Sequence, residues 1–557
     1  MKLHVCALVA VLAASPVAAE GLTFYVADQN GARVVPAAGS GGSGLARVTL
    51  NEAETQIFVS VYFGSLGASA VAAHIHGSAG PGVNAPVLFT LPPPTGTSGS
   101  IPTATFAVTP SQVTQLKAGL WYLDIHTTSF PAGEIRGQLE VSPVLATTMS
   151  PAQAGSGVGG NGRAWVSFNE FNNIVLVSYS WNLTHVATGA HLHAGRSGTA
   201  GGAVICDLTP GGLSVGEIRD RLCVVSPAQA AALRSGQVYI DVHSPAAPAG
   251  HVRGQIKRTF NPCDFDGDGR SDKTIVRNNG ANLFWWILLS NGGVATYQWG
   301  TAADFSESRM LCPDIDGDGK ADPTIFRNTT PGFFWTLQSS NGGVRVQQWG
   351  MAGDDARMIG DYDGDGRDDY TIYRAGAQSQ YWTIRSADST VGLTSWGITG
   401  DFPHSVPDYD GDGKTDFGVQ RSTQFWLRNS ADQSINVIPW GLGSDFVQSL
   451  DYDGDGRTDL ANTRLVGSER QWWVRSSLVG GPLAGASGRL FGSTVAPSSR
   501  RVAADYNGDG RTEIAIWKAD TGGGTGNWWT LDVKTGAITV TPWGIDGDIP
   551  PQSAYWK

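Results

Sequence analysis

The chain has 557 residues, a formal net charge of −11 and only 16% charged residues. At about 100 to 200 residues per domain this length calls for three or more domains, and the acidic balance argues against nucleic acid as a partner. Its 74 glycines, with Thr, Val, Ser and aromatics in short runs, predict an all-β chain.

Residues 1–19 carry a basic Lys2, an apolar run from Val5 to Ala14, a break at Pro16 and the small residues Val17, Ala18 and Ala19 ahead of Glu20. That is the pattern of a secretory signal, so the mature chain is expected to begin near Glu20 and to be secreted, extracellular or periplasmic. Cys6 lies early in the apolar run and not at the cleavage junction, which argues against a lipid anchor. No later stretch offers the roughly 20 apolar residues of a transmembrane segment. In an oxidising compartment Cys206, Cys223, Cys263 and Cys312 allow three disulfide pairings. Cys206 with Cys223 is favoured because both fall in one domain; Cys263 and Cys312 precede two successive acidic loops and can form the second bridge.

Residues 21–258 contain a long duplication. Ala73-His74-Ile75-His76 matches Ala190-His191-Leu192-His193, Tyr122-Leu123-Asp124-Ile125-His126 matches Tyr239-Ile240-Asp241-Val242-His243, and Gly133 to Gln138 answers Gly250 to Gln255. Alternation along a strand puts His74 and His76 on one face. With His126 they can form a three-nitrogen metal site, as can His191, His193 and His243. The competing reading is a polar network in which Asp124 and Arg136, or Asp241 and Arg253, orient the imidazoles without metal. A short helix is expected at Pro227 to Ser235. The two halves, 21–142 and 143–258, resemble the chordin domain (CHRD), an extracellular β-rich module. The resemblance implies two β-sandwich-like domains and assigns them no specific partner.

From residue 259 to 557 one nonapeptide recurs, beginning Asp264-Phe265-Asp266-Gly267-Asp268-Gly269-Arg270-Ser271-Asp272 and returning at intervals of 50, 47, 47, 43 and 54 residues. The acids at positions 1, 3, 5 and 9 are Asp264, Asp266, Asp268 and Asp272; Asp314, Asp316, Asp318 and Asp322; Asp361, Asp363, Asp365 and Asp369; Asp408, Asp410, Asp412 and Asp416; Asp451, Asp453, Asp455 and Asp459; and, as a variant, Asp505, Asn507, Asp509 and Glu513. Glycines at positions 4 and 6 let a short backbone curl so that alternate side chains converge. Oxygen-only ligands on a flexible loop select a hard cation, and Ca2+ suits the count better than Mg2+. Unit charges 4 Å apart repel by about 4 kcal/mol at an effective dielectric of 20, so four carboxylates together call for an ion or for protons. The flanking amphipathic helices of an EF-hand are missing from the sequence.

Each loop is followed by a β-like run, then a Trp-centred strand and a Trp-Gly step at Trp299, Trp349, Trp396, Trp440 and Trp543, with Phe491-Gly492 substituting once. A unit of about 47 residues holding four short strands has the size of a propeller blade. The segment resembles the FG-GAP/VCBS repeats, whose acidic loops bind calcium in propellers such as the integrin α-subunit head. That implies a six-bladed β-propeller, or a seven-bladed one as such repeats often close, with the loop acids as calcium ligands. The tail repeats the segment that precedes a loop, so residues 553–556 are expected to complete the first blade. Trp286, Trp335, Trp382, Trp426, Trp473 and Trp529 recur so regularly that packing between blades is preferred over an exposed sugar-stacking surface. The basic residue thirteen positions after each loop start (Arg277, Arg327, Arg374, Arg421, Arg464, Lys518) is expected to pair with loop carboxylates or carbonyls.

These features point to a secreted calcium-binding protein of adhesion or ligand binding, with two domains projecting from a propeller and an extracellular protein or glycan as partner. The alternatives are a carbohydrate-binding accessory protein and a metal-dependent enzyme using the histidines. No enzyme is expected, because the chain shows neither a nucleophile elbow nor a His-Glu-x-x-His run.

Overall fold

The computed structural model describes residues 23–51, 53–141, 144–169, 174–195, 201–210, 212–234, 236–256, 261–404, 408–430, 432–493, 499–520 and 524–552. The signal-like segment 1–19 and the tail 553–557 lie outside them. The chain is all-β apart from three short helices and two 3₁₀ turns among the described residues, and no helix there is long and apolar enough to cross a membrane.

In the first domain, strands with alternating inward apolar residues join into one nine-stranded sheet that curls towards a barrel. One side runs Val87–Thr90, Ala70–His76, Tyr122–Thr127 and Ile135–Gln138. The other side runs Thr23–Asn30, Ser43–Leu50, Gln56–Gly64 and Gly99–Ala107. A single residue pair, Asn30 with Arg136, stitches the two together, over a core that includes Val48, Val59, Ile75, Leu123 and Ile125. The second domain keeps the same strand succession as two separate four-stranded sheets, and the Cys206–Cys223 disulfide ties one to the other. The helix expected near Pro227 spans Pro227–Arg234. Its counterpart Pro110–Lys117 was not read from the sequence, although Thr109 and Gln112 form a capping box at its start.

From Lys273 onward six small antiparallel sheets follow one another in a β-propeller-like succession, each of three or four strands. In the first, Lys273–Asn278, Asn282–Leu288 and Val294–Thr301 pair in order. Its inner position is filled from the far end of the chain: Val276 and Ile549 exchange backbone hydrogen bonds of 2.8 and 3.0 Å. Ile549 thus makes a closing contact, while the segment 553–556 expected to complete this blade lies outside the described residues. Cys263 and Cys312 form the second disulfide across the first two repeats. Closing a loop of that length removes unfolded-state entropy worth about 4 kcal/mol. Replacing both cysteines by Ala is expected to cost roughly 2–4 kcal/mol in chemical denaturation.

The two N-terminal domains are locked by Arg47, fully buried, whose Nε lies 3.0 Å from Asp220 Oδ1 and whose Nη1 donates to the Leu176 carbonyl at 3.0 Å. They do not project away from the repeats. Gln237 donates to the Asp318 carbonyl and Gln153 to the Gly364 carbonyl, both inside acidic loops, while Lys117 reaches the Leu478 carbonyl. The N-terminal pair thus lies against the face that carries the loops.

Candidate functional site

The six acidic nonapeptides share one internal geometry. In the first loop Asp264 Oδ1 accepts the Gly267 N–H at 2.7 Å and Oδ2 the Gly269 N–H at 2.8 Å. Asp272 Oδ2 accepts the Phe265 N–H at 2.7 Å. Those glycines take φ values of 74° and 85°, open to residues without a Cβ, which is why the motif needs glycine at both places. Asp268 accepts from the Arg270 N–H, the turn that draws position 5 inward. Oxygens of Asp264, Asp266 and Asp272, of Asp314, Asp316 and Asp322, and of Asp361, Asp363 and Asp365 lie within 4.8 Å of one another.

Burial makes these clusters electrostatically expensive. Asp272, Asp322, Asp369, Asp416 and Asp459, the ninth residues of five loops, are fully buried. Desolvation, followed by repulsion from neighbouring carboxylates, pushes Asp272, Asp322, Asp363 and Asp453 up to about 7. The same causes raise Asp408, Asp416 and Asp459 well above the carboxylate range. A hard cation held by these oxygens would remove that penalty. The sixth loop differs: Asn507 Nδ2 donates to Glu513 Oε1 at 2.5 Å, so part of its geometry is held by a neutral hydrogen bond.

Backbone bonds run from loop to loop. The N–H at position 8 donates to the carbonyl of position 1 in the preceding loop: Ala321 to Asp264, Asp368 to Asp314, Thr415 to Asp361, Thr458 to Asp408 and Thr512 to Asp451, all at 2.7–2.8 Å. Ser271 then donates to Asp505 at 2.8 Å, returning the sixth loop to the first. Serines not singled out in the sequence latch five of the six loops to the hairpin that follows. The N–H groups of Ser290, Ser339, Ser386, Ser430 and Ser477 donate to the ninth-position Asp at 2.5–2.7 Å. The basic residue at position 7, present in all six loops, was also missed; Lys320, Lys414, Arg457, Arg511 and Arg270 pack over the fourth-position glycine of a neighbouring loop.

The Arg at position 14 of the first five repeats does not pair with loop acids. Arg277, Arg327, Arg374, Arg421 and Arg464 each form a two-pronged pair with Asp548, Asp304, Asp354, Asp401 and Asp445, at 2.7–3.1 Å. Each of these aspartates stands five residues after the Trp of a Trp-Gly step and accepts a backbone N–H in that turn. The reason is distance along the strand: the arginine is carried to the end remote from its loop, where the preceding repeat turns. Trp286, Trp335, Trp382, Trp426 and Trp473 are half-buried under these arginines. Trp299, Trp349, Trp396 and Trp543 donate to the carbonyls of Trp335, Trp382, Trp426 and Trp286, so the tryptophans pack sheet against sheet. Trp529 is 40% exposed.

At the strand ends opposite the loops lies a cavity of about 480 Å3, lined by Glu307, Arg470, Arg500, Arg501 and Trp517 among others. Burial, then the neighbouring Arg470, lowers Arg501 to about 9. The lining sets these three arginines against Glu307, Asp546 and Asp548, and Arg500 Nη1 pairs with Glu307 at 2.7 Å.

The histidines converge as well. On adjacent strands, His74 Nδ1 is 3.1 Å from His126 Nε2, and Asp124 Oδ1 is 3.2 Å from His76 Nε2 and 3.1 Å from His126 Nε2. His191, His193, Asp241 and His243 repeat the cluster in the second domain. Hydrogen bonds to Asp124 hold His126 above the usual imidazole value, whereas burial lowers His74. Arg136 is not in this network. Its guanidinium stacks 3.4 Å from the Tyr122 ring, which in turn stacks on His76, and it donates to Asn84 and to the Val83 carbonyl.

Residues 25–139 and 145–256 each match the CHRD domain family. No curated protein matches the chain. Among solved structures, the NanB sialidase from Streptococcus pneumoniae aligns over 95% of this chain and 88% of its own, at 9% identity and a TM-score of 0.23, which carries neither fold detail nor activity across.

Proposed function

We propose that two CHRD domains and a calcium-loaded β-propeller of the FG-GAP/VCBS type make this chain an exported protein of adhesion or ligand binding. The six sheets are six blades, and the observation that carries the reading is the closed circuit of loop-to-loop hydrogen bonds that ends with Ser271 on Asp505. A circuit of buried carboxylates, each tied to its neighbour, becomes rigid when cations fill it and strained when they do not. Calcium therefore acts as a fastener, holding the blades together and offering a firm base to the N-terminal pair. The alternating acids already serve as ligands, which leaves them unsuited to general acid or base work.

Equilibrium dialysis of the full chain against Ca2+ is expected to give about five ions per chain, from the five loops with four carboxylates, with the Asn507 loop weaker. Replacing Asp369 by Asn should remove one ion and leave the others. A chain that binds no calcium at millimolar concentration refutes the reading. Extracellular sites of this kind often have dissociation constants of roughly 0.1–1 mM, which sets the range to scan.

A second reading, a carbohydrate-binding lectin-like accessory protein, is favoured by the cavity in which Arg470 and Arg501 stand beside Trp517. Binding on a calcium-containing glycan array that is lost in Arg501→Ala supports it; an array without signal leaves a protein partner as the reading.

A further inference from the structure

We propose that each CHRD domain binds one zinc ion through three histidines and an aspartate: His74, His76, His126 and Asp124 in the first, His191, His193, His243 and Asp241 in the second. The distances carry the argument. Four ligands at the usual zinc distances of about 2.0–2.1 Å, placed tetrahedrally, stand about 3.3 Å from one another. In the first domain four of the six separations are 3.1 Å for His74 Nδ1 to His126 Nε2, 3.9 Å for His74 Nδ1 to Asp124 Oδ1, 3.2 Å for His76 Nε2 to Asp124 Oδ1 and 3.1 Å for His126 Nε2 to Asp124 Oδ1, and all four atoms lie within 4.8 Å of one another. In the second they are 3.0, 3.8, 3.3 and 2.9 Å in the same order.

The protonation pattern suits a metal better than a shared proton. His76 Nδ1 lies 2.8 Å from the Ala85 carbonyl and His126 Nδ1 2.9 Å from the Pro131 carbonyl. A carbonyl only accepts, so each Nδ1 must carry a hydrogen, and each imidazole in its neutral form aims a bare Nε2 lone pair at the centre. His193 and His243 do the same with the Gly202 and Pro248 carbonyls. Orienting a ligand histidine through its second nitrogen is how proteins fix the tautomer at metal sites. In the second domain the buried atoms His193 Nε2 and Asp241 Oδ1 face each other, yet neither makes a hydrogen bond of acceptable direction. There only His191 Nδ1, 3.0 Å from His243 Nε2, is left to place a hydrogen between the converging atoms; without that hydrogen the lone pairs define a place for a cation, and a set of three nitrogens and one oxygen selects zinc over calcium.

The strands explain why the duplication preserves the set. His74 and His76 stand two apart on Ala70–His76, so they share a face, and Asp124 and His126 do so on the paired strand Tyr122–Thr127. Asp124 sits directly opposite His74 in the register. An ion there cross-links two neighbouring strands and the turns that end in Ala85 and Pro131.

The test uses the full chain. Purified without chelator and passed through gel filtration in calcium buffer, it is expected to carry about two zinc ions, measured by plasma mass spectrometry. Asp124→Asn and Asp241→Asn, which keep the side-chain shape, should each lower the content to about one, with at least tenfold weaker zinc binding at the altered site. In the metal-stripped wild type, Co2+ should give the intense visible bands of a tetrahedral centre, diminished by about half in either variant. Failure of the wild type to retain zinc or to produce those bands overturns the proposal, as does zinc content unchanged in both variants. Because the calcium loops share no residue with these clusters, calcium stoichiometry measured in parallel stays at its wild-type value either way and separates this proposal from the one above.

Discussion

Chelation of calcium is expected to lower the thermal midpoint of the full chain by roughly 10 °C or more, a change to be followed by calorimetry or near-ultraviolet circular dichroism. A ligand that binds only the folded state adds RT ln(1 + [L]/Kd), about 1.4 kcal/mol per loop at ten times Kd, and several loops contribute together. For domains of some hundreds of residues each kcal/mol is worth about 2–4 °C. The pH dependence supplies a second arm. Without calcium, Asp272, Asp322, Asp363 and Asp453 keep their protons in the fold up to about 7, whereas in the unfolded chain they ionise near 4. Between those values the native state binds more protons, so stability of the ion-free chain falls as pH rises from about 4 through 7. Saturating calcium takes the ionised form and is expected to flatten that slope. A midpoint indifferent both to chelator and to millimolar calcium would contradict the calcium assignment.

The other large effect is expected where the chain ends meet. Arg277→Ala strands Asp548, whose side chain is 1% exposed, without its cation. Breaking a buried pair from the solvated side costs roughly 2–4 kcal/mol, since the carboxylate left behind cannot reach water. The reverse change, Asp548→Ala, leaves Arg277 with 35% of its side chain in solvent and should cost less. Arg374→Ala breaks the same geometry inside the chain, between Arg374 and Asp354. Urea denaturation should therefore place Arg277→Ala at or beyond the Arg374→Ala cost, with faster proteolysis at the C-terminus only in the former. A loss less than half that of Arg374→Ala would mean that the two ends are not joined through this pair.

Much of the repeat region was legible because its constraints are local. Asp264 to Asp272 must contain two glycines at positive φ and acids at alternate places for one short loop to gather its side chains, and a nine-residue pattern records all of that. What escaped was set by residues far apart in the chain. The partners of Arg277 to Arg464 lie in the preceding repeat, so proximity in sequence pointed to the wrong carboxylates. A signal existed in the spacing Trp-Gly-x-x-x-Asp. Where Phe491-Gly492 replaces Trp-Gly, the fifth position is Ala496 and the corresponding cation is Lys518. Ser290 and its equivalents were hidden for a similar reason, since a serine at a hairpin tip reads as an ordinary turn residue until the loop beneath it is in place.

The sequence by itself determined the strand-rich class, the duplicated N-terminal halves, the acidic loops and the oxygen chemistry they offer, because each depends on residue type and short-range spacing. Only the tertiary structure decided that the sixth loop hands its carbonyl back to the first, and that the N-terminal pair lies on the loop face. It likewise set Asp124 Oδ1 among the ring nitrogens of its cluster while turning Arg136 onto Tyr122. Those outcomes depend on which strands become neighbours, and that is settled by burial of side chains tens or hundreds of residues apart, for which no local pattern stands as a record.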